Sequence, residues 1–178
     1  MNRTKRLIWI VLLLGIVMVA GCGTKPADDA ESGRTGSGQA TEQNEAWNEI
    51  TIKLYYTDEQ METLHETTGT IRYKDDQEKY IRALEALTDS EDATLYPLWI
   101  GLTVRDAAID HGRLTVNLDL ADEGRLGAWG EQLALDALKQ TLFQFAEIDE
   151  IEILVGGEPV DSLMGHVELE HPIRRQAP

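Results

Sequence analysis

The sequence predicts an α+β fold: a single small domain with two helices packed on one face of a small mixed sheet. Three observations carry that expectation. Short segments alternate apolar and polar residues with the period of a strand. Two longer segments repeat apolar residues at i, i+3, i+4 and i+7, the period of a helix. A tight turn at Asp110–Gly112 joins two of the alternating segments. Read along the chain, the order is β-α-β-β-α-β, and two helices covering one face of a sheet is the economical packing for it.

The first strand is "ITIKLYY", with Ile50, Ile52, Leu54 and Tyr56 on one face and Thr51, Lys53 and Tyr55 on the other. Residues 57–77 are polar and contain Gly69, with the short extended piece "TIRY" among them. The first helix is "DQEKYIRALEALTDS", whose Tyr80, Ile81, Leu84 and Leu87 share a face. Asp76 and Glu78 sit at its positive end. In "LYPLWIG", Pro97 implies an irregular or edge segment, pinned to the core by Leu95, Leu98 and Ile100. "LTVRDAAI" and "RLTVNLDL" then form a hairpin around "DHG", with Gly112 supplying a positive φ. The second helix runs over about residues 129–146 on a stripe of Leu135, Leu138, Leu142 and Phe145, with Ala134 and Thr141 beside it. "EIEILVGG" closes the pattern as a strand, and Gly156-Gly157-Glu158-Pro159 is its turn.

Ahead of the domain, Arg3, Lys5 and Arg6 precede an apolar run from Leu7 to Gly21. A basic n-region before an apolar h-region is a secretory signal, predicted to span residues 1–21. As a helix the run would reach only about 22 Å, short of the ~30 Å hydrocarbon core of a bilayer. "VAGC" resembles the lipobox of bacterial lipoproteins, in which the cysteine, here Cys22, carries diacylglycerol and becomes the first mature residue. An uncleaved signal anchor is the alternative. Acyl chains worth ~0.8 kcal/mol per buried methylene make a durable membrane attachment. Residues 22–48 then form the lipid-modified cysteine and a linker rich in Gly, Ser, Thr and Gln, with a reach of roughly 25–30 Å. Residues 49–178 are the domain, placed on the extracytoplasmic face of the cell membrane.

Charge narrows the functions. The chain has 16 basic and 32 acidic residues, a formal net charge of −16. Removing the leader removes three more positive charges. Such a chain does not bind nucleic acid by counterion release, and anionic lipid headgroups repel it. Cys22 is the only cysteine, so no internal disulfide supports the fold.

The sequence contains no nucleophile elbow, phosphate-binding loop, zinc-protease helix or dinucleotide fingerprint. His65, His111, His166 and His171 fall in separate predicted loops and read as surface or turn residues. The carboxylates Asp119, Asp122 and Glu123 lack the alternation of a calcium loop. No catalytic residue, metal or cofactor is expected.

Several separated pieces, in order, resemble the GerMN domain of spore germination and sporulation lipoproteins. They are "ITIKLYYTD", "YIRALEAL", "LYPLWIGLTV", "IDHGRLTVNLDL" and the segment ending "GHVELEHPI". The resemblance covers about residues 50–174. It implies a fold similar to ring-building motifs and a non-enzymatic role in protein assembly in the envelope. Asp119 stands where the family often has Ser, and one copy of the domain fits, so ring assembly and a sporulation role do not carry over automatically. The expected function is a lipid-anchored interaction module with an envelope protein partner, self-association being a second arrangement. Trp99, Trp129, Tyr56 and Arg113 are the candidate surface residues, with Trp129 exposed because it follows a Gly-rich break. An aromatic patch would also suit a glycan or small solute, which is the alternative function.

Overall fold

The computed structural model describes residues 47–176. The leader, Cys22 and most of the linker lie outside these residues. Strand β1 (Asn48–Thr57) pairs antiparallel with β2 (Leu64–Tyr73) through ten consecutive residue pairs with no bulge. Helix α1 (Asp76–Glu85) follows and tightens into a single 3-10 turn at Ala86–Thr88. Strands β3 (Leu102–Asp110) and β4 (Arg113–Leu120) form an antiparallel hairpin, and α2 (Ala128–Phe143) leads into β5 (Glu150–Val155), which runs parallel to β4. Two short strands, β6 (Glu158–Pro159) and β7 (Ile173–Arg174), both pair antiparallel with β5. The domain is thus α+β, with two helices and a mixed sheet as predicted. Strands β2, β6 and β7 enlarge the expected inventory.

Local chemistry explains the element ends. The Asp75 carboxylate caps α1 by accepting the Glu78 amide at 2.8 Å, and Glu78 reaches back to the Lys74 amide at 2.8 Å. The β3–β4 turn places both His111 (φ 48°) and Gly112 (φ 82°) in the left-handed region, the requirement of a two-residue hairpin loop. A Cβ on Gly112 would also come within 2.5 Å of the Asp149 carboxylate, so the position needs glycine twice over.

The core lies between the helices and the inner faces of the strands. Leu114, Val116 and Leu118 of β4 and Ile151 and Ile153 of β5 meet Ala134, Leu138 and Leu142 of α2 within one buried cluster. Helix α1 contributes Tyr80, Ala83 and Leu84, with Leu87 just beyond. Two expected core residues differ. Ile81 is only partly buried, because Lys79 and Ala83 occupy the inward face beside Tyr80. Ile100 is exposed, whereas Leu98 and Trp99 turn inward. Thr57 bridges Tyr96, which ties this irregular segment to the end of β1.

Candidate interaction surface

Of the four candidate surface residues, two are interior. Trp99 is 1% exposed, and its indole N–H donates to the Ala134 carbonyl of α2 at 2.9 Å. Tyr56 is buried, and its hydroxyl donates to the Ala86 carbonyl at 2.6 Å. Burial pushes the Tyr56 hydroxyl up to about 12, with Asp89 and Glu91 adding to it. Both side chains satisfy their one polar group inside the fold and present nothing to a partner. Their placement as surface residues is corrected on that ground.

Arg113 is exposed but committed, donating to Glu150 at the start of β5 at 2.8–2.9 Å. It lies at the β3–β4 turn, the end of the sheet where α2 finishes. Trp129 lies at the other end, where α2 begins. The two do not form one surface.

Trp129 is 59% exposed. Its indole N–H donates to the Met61 carbonyl at 2.7 Å, which fixes the ring against the loop after β1. That loop and the segment carrying Tyr96 and Ile100 meet the start of α2. The Thr57–Tyr96 bridge joins the first pair, and Gly124, whose Cβ would overlap the Ile100 carbonyl, brings the approach to α2 against the second. Tyr96, Ile100 and Trp129 are three of the four large exposed apolar side chains among the described residues. The fourth, Trp47, sits under Arg72 and Lys74 at 5.7 and 5.1 Å.

Two residues after Trp129, in the first turn of α2, a charge is buried. Glu131 is 0% exposed, yet it falls on the helix stripe with Leu135, Leu138 and Leu142. Its carboxylate accepts from the Ser162 hydroxyl (2.8 Å) and from the amides of Met164 (2.8 Å), His166 (2.9 Å) and Val167 (3.3 Å). Burial works to raise this carboxyl, and the hydrogen bonds outweigh it, holding it below the ordinary glutamate value. The "SLMGHV" stretch therefore wraps an internal anion rather than a ligand. Sequence reasoning missed Glu131; the signal available was an acid at i, i+4, i+7 and i+11 register with three leucines.

A second internal charge lies near the opposite end of the helices. Lys79 donates to Glu147 at 2.6 Å and to Asp76 at 3.2 Å, and its ammonium stands 4.7 Å from the Tyr80 ring and 5.4 Å from that of Phe145. Burial would lower the ammonium, but the carboxylates overcome it and hold the lysine above its usual value. The C-terminal segment is clamped by Arg175. It donates to the carbonyls of Phe143 (2.5 Å), the last residue of α2, and of Phe145 (2.8 Å) and Ile148 (2.9 Å) just beyond it.

The four histidines do not converge. His65 meets Asp58, His111 meets Asp110, and His171 joins Glu152 (2.6 Å) to the Val160 carbonyl (2.9 Å). Among the described residues, no group of three or more His, Cys, Asp or Glu is placed to hold a metal ion. No described helix is long and apolar enough to cross a membrane.

No curated protein matches the chain. Solved structures do. A candidate lipoprotein from Clostridium perfringens shares the fold at a TM-score of 0.51 and 24% identity, over 71% of this chain and 88% of that one. The first GerMN domain of the sporulation protein GerM from Bacillus subtilis matches at a TM-score of 0.55 and 18% identity, over 71% of this chain and 98% of that one. The tandem GerMN domains of the same protein match at 0.57 and 17%, over 72% of this chain but only 47% of theirs. The family model described as sporulation and spore germination, Germane, matches residues 53–161. That span is more than half of the sequence, and the chain belongs to the sporulation and spore germination family.

Proposed function

We propose that the chain is a lipid-anchored, extracytoplasmic and non-enzymatic interaction module, held by Cys22 and docking an envelope protein through the patch at Trp129. The observation that carries this is the state of Trp129, exposed to solvent yet held by a 2.7 Å hydrogen bond. A large aromatic that is fixed before binding loses little conformational entropy on contact, the property of an interface anchor. Tyr96 and Ile100, on the segment bridged to Thr57 and packed against Gly124 ahead of α2, are exposed as well. The leader and the "VAGC" stretch support the anchor, and the acidic surface keeps the domain off anionic headgroups at the end of its linker. The same charge disfavours unassisted self-association, which favours a different protein as partner.

Two measurements in cells test this reading. Labelled palmitate should enter the wild-type chain and not Cys22→Ser, which should move to the soluble fraction. Trp129→Ala should keep its urea midpoint and lose co-purification of a discrete envelope protein. Equal lipid incorporation in both chains, or unchanged co-purification, would overturn the reading. If instead cell-wall fragments quench tryptophan fluorescence and no protein partner depends on Trp129, the glycan alternative takes its place.

A further inference from the structure

Strand β2 has an edge that the described fold leaves open. Strands β1 and β2 form a two-stranded ribbon separate from the five-stranded sheet of β3 to β7, and the ribbon's other edge, that of β1, is occupied. The Gln144 side chain accepts the Lys53 amide at 2.7 Å and donates to the Lys53 carbonyl at 2.8 Å, imitating a neighbouring strand, and Tyr96 does the same for Thr57. Lys53 lies opposite Thr68. Because the Lys53 backbone groups point away from β2, the pair is a non-hydrogen-bonded one, and the Thr68 N–H and C=O point away from β1. The same alternation turns the groups of Glu66, Thr70 and Arg72 outward, and none of them has a backbone partner among the described residues.

Proteins blunt such edges with bulges, prolines or charge. Strand β3 follows that rule, with a bulge at Arg105. Strand β2 keeps an unbroken register, and its centre reads Thr67-Thr68-Gly69-Thr70, without charge or proline. Five consecutive residues, Thr67–Ile71, also line a groove of about 980 Å³. Gly69 opens its floor, since a Cβ there would meet Leu54 Cδ1 at 2.6 Å. Asp89, Glu91 and Asp92, from the segment after α1, line the same groove, and the nearby Arg82 is paired with Glu78 and Glu85. No basic residue lines the groove. The nearby cations are taken, Lys53 by Glu66 at 3.0 Å and Arg72 by Glu49 at 3.6 Å.

We propose that the β2 edge accepts an extended, lysine- or arginine-bearing segment of a partner protein as an added strand, its basic side chains entering the acidic groove. Main-chain bonds to Glu66, Thr68 and Thr70 supply affinity, and the groove supplies selectivity for positive charge. The chain's own linker is a poor occupant: residues 23–46 hold Lys25 and Arg34 against Asp28, Asp29, Glu31, Glu42 and Glu45. A second copy brings the same acidic surface. This goes beyond the Trp129 reading and uses none of its residues, so either can fail alone.

The test uses the full-length chain in detergent and a fluorescent seven-residue peptide alternating lysine and threonine. A matched peptide carries N-methyl groups on alternate amides, keeping its charge and losing one hydrogen-bonding edge. The unmodified peptide should bind, weaken with salt, and lose roughly tenfold or more in affinity on N-methylation. Thr68→Pro removes an N–H that β1 does not use, so the ribbon persists and peptide binding falls by a similar factor. Asp89→Asn with Glu91→Gln should also weaken it. No binding of the lysine peptide, or equal binding of the N-methylated one, overturns the proposal. So does equal binding of a glutamate–threonine peptide.

Discussion

Replacing Glu131 by Gln is the sharpest test of how the C-terminal third is held. The wild-type carboxylate satisfies four donors from Ser162, Met164, His166 and Val167 while fully buried. An amide of the same shape keeps an oxygen for Ser162 and Met164 and turns an NH₂ toward the amides of His166 and Val167. Donor then faces donor at two places. A hydrogen bond to a charged group is worth about 1.5–3 kcal/mol, and the Val167 bond at 3.3 Å is the weaker of the pair lost. Neutralising the buried charge recovers part of its desolvation cost, which leaves a net loss of about 2–3 kcal/mol. For a domain of this size that lowers Tm by roughly 10 °C. Urea melts followed by tryptophan fluorescence read the global change. Hydrogen exchange reads the local one, with protection lost at Met164, His166 and Val167 first. Acid gives an independent signature. Because the folded carboxyl is held below its unfolded value, its contribution is present above about pH 4.5 and is lost as pH falls through the depressed pKa. The Gln variant lacks that component of the acid melt. A variant within ~0.5 kcal/mol of wild type, or unchanged exchange at the three amides, would mean that the buried carboxylate does not hold this segment.

Three further outcomes follow from the same geometry. Lys79→Met and Glu147→Gln should each destabilise by about 1–2 kcal/mol in urea, and the double variant by less than their sum, because the two share one partly buried bond. Arg175→Lys should cost about 1–2 kcal/mol and speed exchange in the last turn of α2, since an ammonium cannot span the Phe143, Phe145 and Ile148 carbonyls together. His171 is raised above its ordinary value, first by Glu152 and then by the Val160 carbonyl, so its contribution is fully present below about pH 6.5 and is lost as pH rises through the folded pKa. His171→Gln should remove this pH dependence, an effect of up to about 1 kcal/mol measured as the urea midpoint at mildly acid and mildly alkaline pH.

Much of the architecture was legible because it is periodic. Tyr80 and Leu84 mark α1 and Leu87 the 3-10 turn that continues it, Leu135, Leu138 and Leu142 mark α2, and the alternation of Leu114, Val116 and Leu118 marks β4. Strand β2 was visible only as "TIRY". Its ten residues bury just Ile71, so the strand exists through its pairing with β1 and carries no apolar pattern of its own. Strands β6 and β7 are two residues each, too short for any period. The surface was harder to read than the fold. Trp99 follows Pro97 in an irregular segment, and its burial depends on Ala134, thirty-five residues away. Tyr56 shares the inward alternation of Ile52 and Leu54, and that face outweighs its polar tip. Glu131 was hidden for the opposite reason. A lone acid on an apolar stripe is intelligible only once the loop that wraps it is in place.

The claim that this is a tethered docking module is tested most directly by a photo-reactive amino acid at position 129 in the lipidated chain, cross-linked in living cells. A docking module gives a discrete adduct of one mass, absent when the same probe is placed at exposed Asp110 at the other end of the domain and absent from Cys22→Ser, which is released from the membrane. The same faint, heterogeneous adducts from positions 129 and 110, with the protein present at normal levels, would contradict it.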